Sequence, residues 1–158
     1  MNIWRWSPPV TASMADDSWL CNYIKGVERM YKILSIIAGG AIGAVFRYYL
    51  SGLVQKQFSS TLFPYGTLVV NIIGAFLIGF FWELFQNIII PGNLKLFIFM
   101  GFIGAFTTFS TYSLETLNLL RDNQFKYALI NILSNNVLCI ALVFIGFLVA
   151  RYLLKILK

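Results

Sequence analysis

Four stretches of this chain, about residues 33–53, 66–86, 94–120 and 127–154, are almost free of charge, and each reaches or exceeds the roughly 20 residues that carry a helix across the hydrocarbon core of a bilayer. A backbone in lipid has no water to satisfy its N–H and C=O groups, so segments of this length must be helical. The sequence therefore predicts an all-α integral membrane protein with four transmembrane helices per subunit, forming one small domain. Composition agrees: 59% of the 158 residues are hydrophobic and only 11% charged, too apolar for a soluble domain of this size.

Several function classes drop out. The chain has no His, and its two cysteines, Cys21 and Cys139, lie far apart, so neither a disulfide framework nor a Cys/His metal site is expected. The net charge of +6 comes from Lys and Arg placed mostly at span ends and in the tails, where they meet lipid headgroups; the partner is a bilayer, and no nucleic acid is expected. No nucleophile, base and orienting group come together in the spans, which argues against an enzyme.

Residues 1–29, with Trp4, Trp6, Pro8, Pro9, Asp16 and Asp17, differ in character from the rest and lack the apolar core of a signal peptide. They read as an extension, either a mobile tail or an over-long start with Met14 and Met30 as alternatives, ahead of a four-helix domain over 30–158. Connections are short: Pro64 precedes the second span, Pro91-Gly92-Asn93 turns into the third, and Asp122-Asn123-Gln124 links the third to the fourth. Lys32, Lys95, Arg151, Lys155 and Lys158 fall on the side of the termini, against Lys56, Arg121 and Lys126 on the other, with Arg47 near that end of its span. So even a balance permits insertion in both orientations, while Arg5, Lys25 and Arg29 tilt the termini toward the cytoplasm.

Polar residues inside the spans mark the candidate site. In the first span Gly39 and Gly43 stand in GxxxG spacing, which lets helices approach closely, and Arg47 follows Gly43 by four on the same face. Two readings of Arg47 stand, a functional charge and a side chain snorkelling to the interface. Asn71 is the one amide in GTLVVNIIGAFLIGFFWE (66–83) of the second span and lies on a face with Thr67, Gly74 and Ile78; it is either interhelical glue or a donor to a wet path. Glu83, beside Trp82, reads as interfacial. Asn131, Asn135 and Cys139 form a stripe at intervals of four in the last span, with Ser134 and Asn136 beside it, suited equally to structural bonding and to a conduction wall.

The third span holds the most unusual segment, GFIGAFTTFSTYSLE over 101–115, where Thr107, Thr108, Ser110, Thr111 and Ser113 interrupt apolar sequence. Ser and Thr compete with helical hydrogen bonding, so the run predicts a helix broken near the membrane centre, a device that commonly coordinates ions. Phe109 and Tyr112, three apart, share a face if the helix resumes; they are either packing residues or the rims of an anion path, since ring edges are electropositive. Glu115 could cap, relay or repel.

Three segments, GGAIGAVFRYY (39–49), PYGTLVVNIIGAFLIG (64–79) and GFIGAFTTFSTYSLE (101–115), one per span and in this order, resemble the CrcB/Fluc fluoride channels, and the likeness runs from about Met30 to the C-terminus. The resemblance implies a passive, fluoride-selective channel of the cell membrane that exports cytoplasmic fluoride and confers fluoride resistance. It implies an antiparallel dual-topology dimer, either a homodimer or a heterodimer with a paralogue, with two pores and a structural sodium ion that is not transported. Sodium would be held by the backbone carbonyls of Gly104 and Thr107 from each subunit. Asn71, Phe109, Ser110, Thr111 and Arg47 match the family's pore and vestibule positions. Tyr112 stands where a second phenylalanine is expected, and Asn135 and Cys139 replace small residues. The rival is a small four-helix exporter driven by protons; such a carrier usually needs a carboxylate, often in its first helix, where this chain has Arg47.

Overall fold

The computed structural model describes residues 17–157, with side chains from Asn22 onward; the readings made above on residues 1–16, on the side chain of Cys21 and on Lys158 lie outside the described residues. Four helical spans, Asn22–Gln57, Tyr65–Asn87, Gly92–Arg121 and Phe125–Ile156, are long and apolar enough to cross a membrane, and each expected stretch lies within one of them. The first helix as a whole is Asp17–Gln57, so no change of backbone conformation falls at Met30.

Local chemistry sets where the helices stop. Pro64 caps the start of Tyr65–Asn87, where a missing backbone N–H costs nothing, and the Gln55 side chain of the first helix accepts from the Gly66 N–H at 3.2 Å. After Asn87 the chain turns extended at Ile88, and Pro91 opens the third span. The turn at Asp122-Asn123-Gln124 places Asn123 at φ 58°, a left-handed conformation that Asn tolerates.

The spans pack as two couples. The first span lies against the early part of the third, and the second runs along the fourth. Glycines allow both contacts: a Cβ on Gly39 would meet the Phe97 carbonyl, and on Gly43 the Phe102 carbonyl, whereas one on Gly40 would meet nothing within 4 Å. The GxxxG spacing thus marks a backbone-to-backbone seam. Gly79 against the Val143 carbonyl and Gly146 against the Phe76 carbonyl do the same for the second couple. Few side chains are fully enclosed, Val70, Ile103 and Asn131 foremost, while Phe46, Leu53, Met100, Leu129 and Phe144 are exposed, as suits a thin helical layer whose solvent is lipid.

Three irregularities position the site, the first a π-helical stretch, Leu96–Ile103, in the third span. Helix Gly104–Phe106 ends at Thr107 (φ −82°, ψ 158°), Thr108 is extended (φ −150°, ψ 115°), and Phe109–Arg121 then begins. Ser134–Leu138 in the fourth span is π-helical, a wide turn that shifts the facing of the residues around it.

Candidate functional site

The non-helical pair is held by a neighbouring helix. Gly74 has no side chain and would bring a Cβ onto the Thr107 methyl, so the second span sits close enough for Asn71, one turn earlier, to reach the Thr108 backbone. Asn71 Oδ1 accepts from the Thr108 N–H at 2.8 Å, and Asn71 Nδ2 donates to the Thr108 carbonyl at 3.1 Å. The amide oxygen thereby replaces the helical bond that the Thr108 N–H gives up, and the amide nitrogen adds a second donor to the carbonyl that opens the next helix.

The second hydrogen of Asn71 Nδ2 goes to Asn135 Oδ1 at 2.9 Å, and the chain of bonds continues. Asn135 Nδ2 donates to Asn131 Oδ1 at 2.8 Å, Asn131 Nδ2 to Thr116 Oγ1 at 2.9 Å, and the Thr116 hydroxyl to the Tyr112 carbonyl at 2.8 Å. This path leaves the third span at Thr108, crosses the second and fourth, and returns to the third at Thr116, about two helical turns farther on. Asn131 and Asn135 are buried, so inward bonding is what the polar stripe of the fourth span does.

Thr108 also caps the helix that follows it. Its Oγ1 accepts from the Thr111 N–H at 3.2 Å, donates to Thr111 Oγ1 at 2.9 Å and lies 3.3 Å from Ser110 Oγ. In an unbroken helix the N–H of Thr108 would bond the Gly104 carbonyl and that of Thr111 the Thr107 carbonyl. Both donors are instead taken by side-chain oxygens, those of Asn71 and Thr108. The oxygens of Gly104 and Thr107 lose their usual partners, and such hard oxygens suit a hard cation; one chain supplies two, short of the six or so that such cations gather.

Two clefts meet at Thr108. One, of about 300 Å³, is lined by Asn71, Thr107, Thr108, Phe109, Tyr112 and Asn136 among others, and none of its lining residues is charged. The Phe109 and Tyr112 rings stand edge to face there, 5.3 Å apart at 62°. Phe109 is 75% exposed, whereas Tyr112 is 8% exposed, its oxygen accepting from Asn136 Nδ2 at 3.1 Å. The other cleft, of about 330 Å³, is lined by Arg47, Ser51, Thr67, Thr108 and Thr111 with their neighbours. The candidate pore residues are therefore divided: Asn71, Phe109 and Tyr112 in the first cleft, Arg47 and Thr111 in the second. Ser110, exposed, touches the hydroxyl of Thr108 between them.

Some contacts were not read from the sequence. Thr67 donates to Glu115 Oε1 at 2.6 Å, while Glu115 Oε2 is buried without a partner among the described residues. Thr67 was visible as the residue four before Asn71, but its partner on another helix was not. Asn136 stands one place off the stripe of intervals of four, and the π-helical turn carries it to Tyr112. The Asn-Asn pair at 135–136 in an apolar span was the only signal for it.

Comparison with known proteins places this geometry. Residues 34–147 match the family described as CrcB-like protein, Camphor Resistance (CrcB). The chain is 39% identical over 129 residues, 82% of its length and 100% of the relative's, to a protein of Parabacteroides distasonis named "Fluoride-specific ion channel FluC". It is 46% identical over 121 residues to the protein of the same name from Magnetococcus marinus, 76% of this chain and 98% of that one, and 46% identical over 125 residues to that of Citrifermentans bemidjiense, 78% and 100%. With most of its length matched, the chain belongs to the CrcB family, and its four apolar spans make it a multi-pass membrane protein.

Proposed function

We propose that this chain is a fluoride-selective passive ion channel, not an enzyme, through which cytoplasmic fluoride leaves the cell and its toxicity is relieved. The observation that carries the reading is the uncharged cleft beside Thr108, lined by amides, hydroxyls and aromatic rings, in a chain whose relatives are named fluoride-specific ion channels. Fluoride is small and strongly hydrated, so a path must replace its water with close donors while holding no full charge that would trap it. Hydroxyls of Ser110 and Thr111 and the edges of Phe109 and Tyr112 are of that weak, multi-site kind, and Asn71, its two hydrogens given to Thr108 and Asn135, holds the backbone beside them in place. Arg47, in the adjoining cleft, raises the local anion concentration at an entrance.

The working unit is an antiparallel dimer around a structural sodium ion. Support comes from what one chain leaves open: the carbonyls of Gly104 and Thr107, with their ordinary donors diverted, and a Phe109 ring that is 75% exposed. A second, oppositely inserted copy covers both and doubles the oxygens offered to the cation; a paralogue in that place would serve equally. In lipid such polar surface is costly to leave bare.

A fluoride electrode on proteoliposomes containing this chain alone tests the proposal. Efflux should start on adding a potassium ionophore to balance charge, need no proton carrier, and exclude chloride. The second reading, a proton-coupled exporter, has the buried carboxylate oxygen of Glu115 in its favour. It predicts efflux that follows an imposed pH gradient and is matched by proton uptake, since fluoride leaving and a proton entering move charge the same way and need the ionophore too; that result, or vesicles sealed to fluoride, would overturn the channel.

A further inference from the structure

Tyr112 is the residue whose hydroxyl the resemblance does not explain, and its surroundings fix the direction of its hydrogen bond. Asn136 Nδ2 lies 2.7 Å from the Ile132 carbonyl, which can only accept, so this end of the amide is the NH₂ group. Its other hydrogen points to Tyr112 Oη at 3.1 Å. An amide nitrogen has no lone pair to offer, so the phenol oxygen must be the acceptor in that contact. The phenolic proton is then directed elsewhere, and among the described residues no oxygen accepts it. Tyr112 and Asn136 both line the uncharged cleft beside Thr108, and the Tyr112 ring is held by burial and by its edge-to-face contact with Phe109.

We infer that Asn136 is a positioning residue that turns the Tyr112 hydroxyl proton toward the anion path, giving this channel an O–H donor to fluoride beside the ring edges. The inference rests on the channel reading and deepens it. A freely turning phenol would spend its proton on whichever oxygen is nearest; one whose oxygen already accepts from an amide keeps its donor for the path. An O–H donor to an ion is among the stronger protein hydrogen bonds, and fluoride, the hardest halide, gains most from it.

The test is fluoride efflux from proteoliposomes of the full-length protein, measured from low to saturating fluoride, for the wild type, Tyr112→Phe, Asn136→Leu and the double variant. Tyr112→Phe is expected to raise the half-saturating fluoride concentration by roughly tenfold, the scale of one bond to a charged partner. Asn136→Leu should shift it in the same direction, and the double variant should be no worse than Tyr112→Phe alone. Asn136→Asp gives a second, sign-reversing measurement: a carboxylate accepts, so the phenol turns its proton away from the path. Its effect should be larger with Tyr112 present than in the Tyr112→Phe background, which carries the same added charge. Shifts that multiply in the double variant, or an Asn136→Asp effect equal in both backgrounds, would overturn the inference while leaving the channel intact. A wild type that passes no fluoride would overturn both, and size-exclusion elution identifies any variant that fails to assemble, the aspartate series then deciding alone.

Discussion

Asn71→Ala removes three hydrogen bonds at once, those to the Thr108 N–H at 2.8 Å, to the Thr108 carbonyl at 3.1 Å and to Asn135 Oδ1 at 2.9 Å. Bonds between membrane helices are worth on average about 0.6 kcal/mol and at most about 1.7 kcal/mol each, so three give roughly 2–5 kcal/mol. The upper part of that range applies, because Thr108 is 8% exposed and its N–H is left without a protein partner until the backbone moves. The loss has a structural direction. Freed from Asn71, the Thr108 N–H should regain the Gly104 carbonyl, so that the helix closes and one oxygen of the proposed cation site is withdrawn. Chemical unfolding of the purified protein in detergent should therefore show a large destabilisation, with fluoride efflux lost in parallel. Asn135→Ala should be coupled to it: in a double-variant cycle the two losses should fall short of additivity by about 0.5–1.7 kcal/mol, because each breaks the same amide-to-amide bond. A loss below about 0.5 kcal/mol with efflux retained, or strict additivity with Asn135→Ala, would refute the view that Asn71 holds the Thr108 backbone.

Gly43→Leu should abolish assembly, since its Cβ would fall on the Phe102 carbonyl, whereas Gly40→Leu, with nothing within 4 Å of a built Cβ, should assemble and conduct normally; elution volume and efflux check both. On the proposed cation site, exchanging sodium for a bulky organic cation should lower the thermal stability of the assembly in wild type and have a smaller effect in Asn71→Ala, where the Gly104 oxygen is engaged; equal shifts in the two proteins would argue against it.

The backbone scale of this molecule was legible because lipid leaves few choices. Length and apolarity fix four spans, and Pro64, Pro91 and the Asp122-Asn123-Gln124 run fix where the chain turns. The seam at Gly39 and Gly43 was readable for the same reason, since spacing within one helix is a local property. What escaped was every pairing between helices. Asn71 shows its face from sequence, but two donors and one acceptor on that face are compatible with an anion, a partner helix or a bare backbone, and only the approach permitted by Gly74 selects Thr108. Thr67 with Glu115, Asn131 with Thr116 and Asn136 with Tyr112 are likewise single-residue signals whose meaning depends on a partner 48, 15 and 24 positions away. The last was further hidden by the π-helical turn, which takes Asn136 out of the period of four that made its neighbours visible.

On the proposed reading the row of hydroxyls joins these scales, because one short segment would serve ions of opposite sign. Breaking a helix exposes a carbonyl end and an N–H end, and their partial charges differ in sign. On the side of the helix that stops at Phe106, the diverted donors leave the Gly104 and Thr107 oxygens bare, a place for a cation. On the side of the helix that starts at Phe109, the first turn carries the positive end of the dipole, with Ser110 and Thr111 hydroxyls and the two rings around it, a place for an anion. Neither half works unless the two residues between them are held open against their tendency to close into a single helix. That is the task of the Asn71 amide, anchored through Asn135 and Asn131 to Thr116 in the later half of the third span. On the proposed reading, the cation fixes the break and the anion passes beside it, so a change that lets Thr108 return to Gly104 disables both sites, though no pore-lining hydroxyl has been touched.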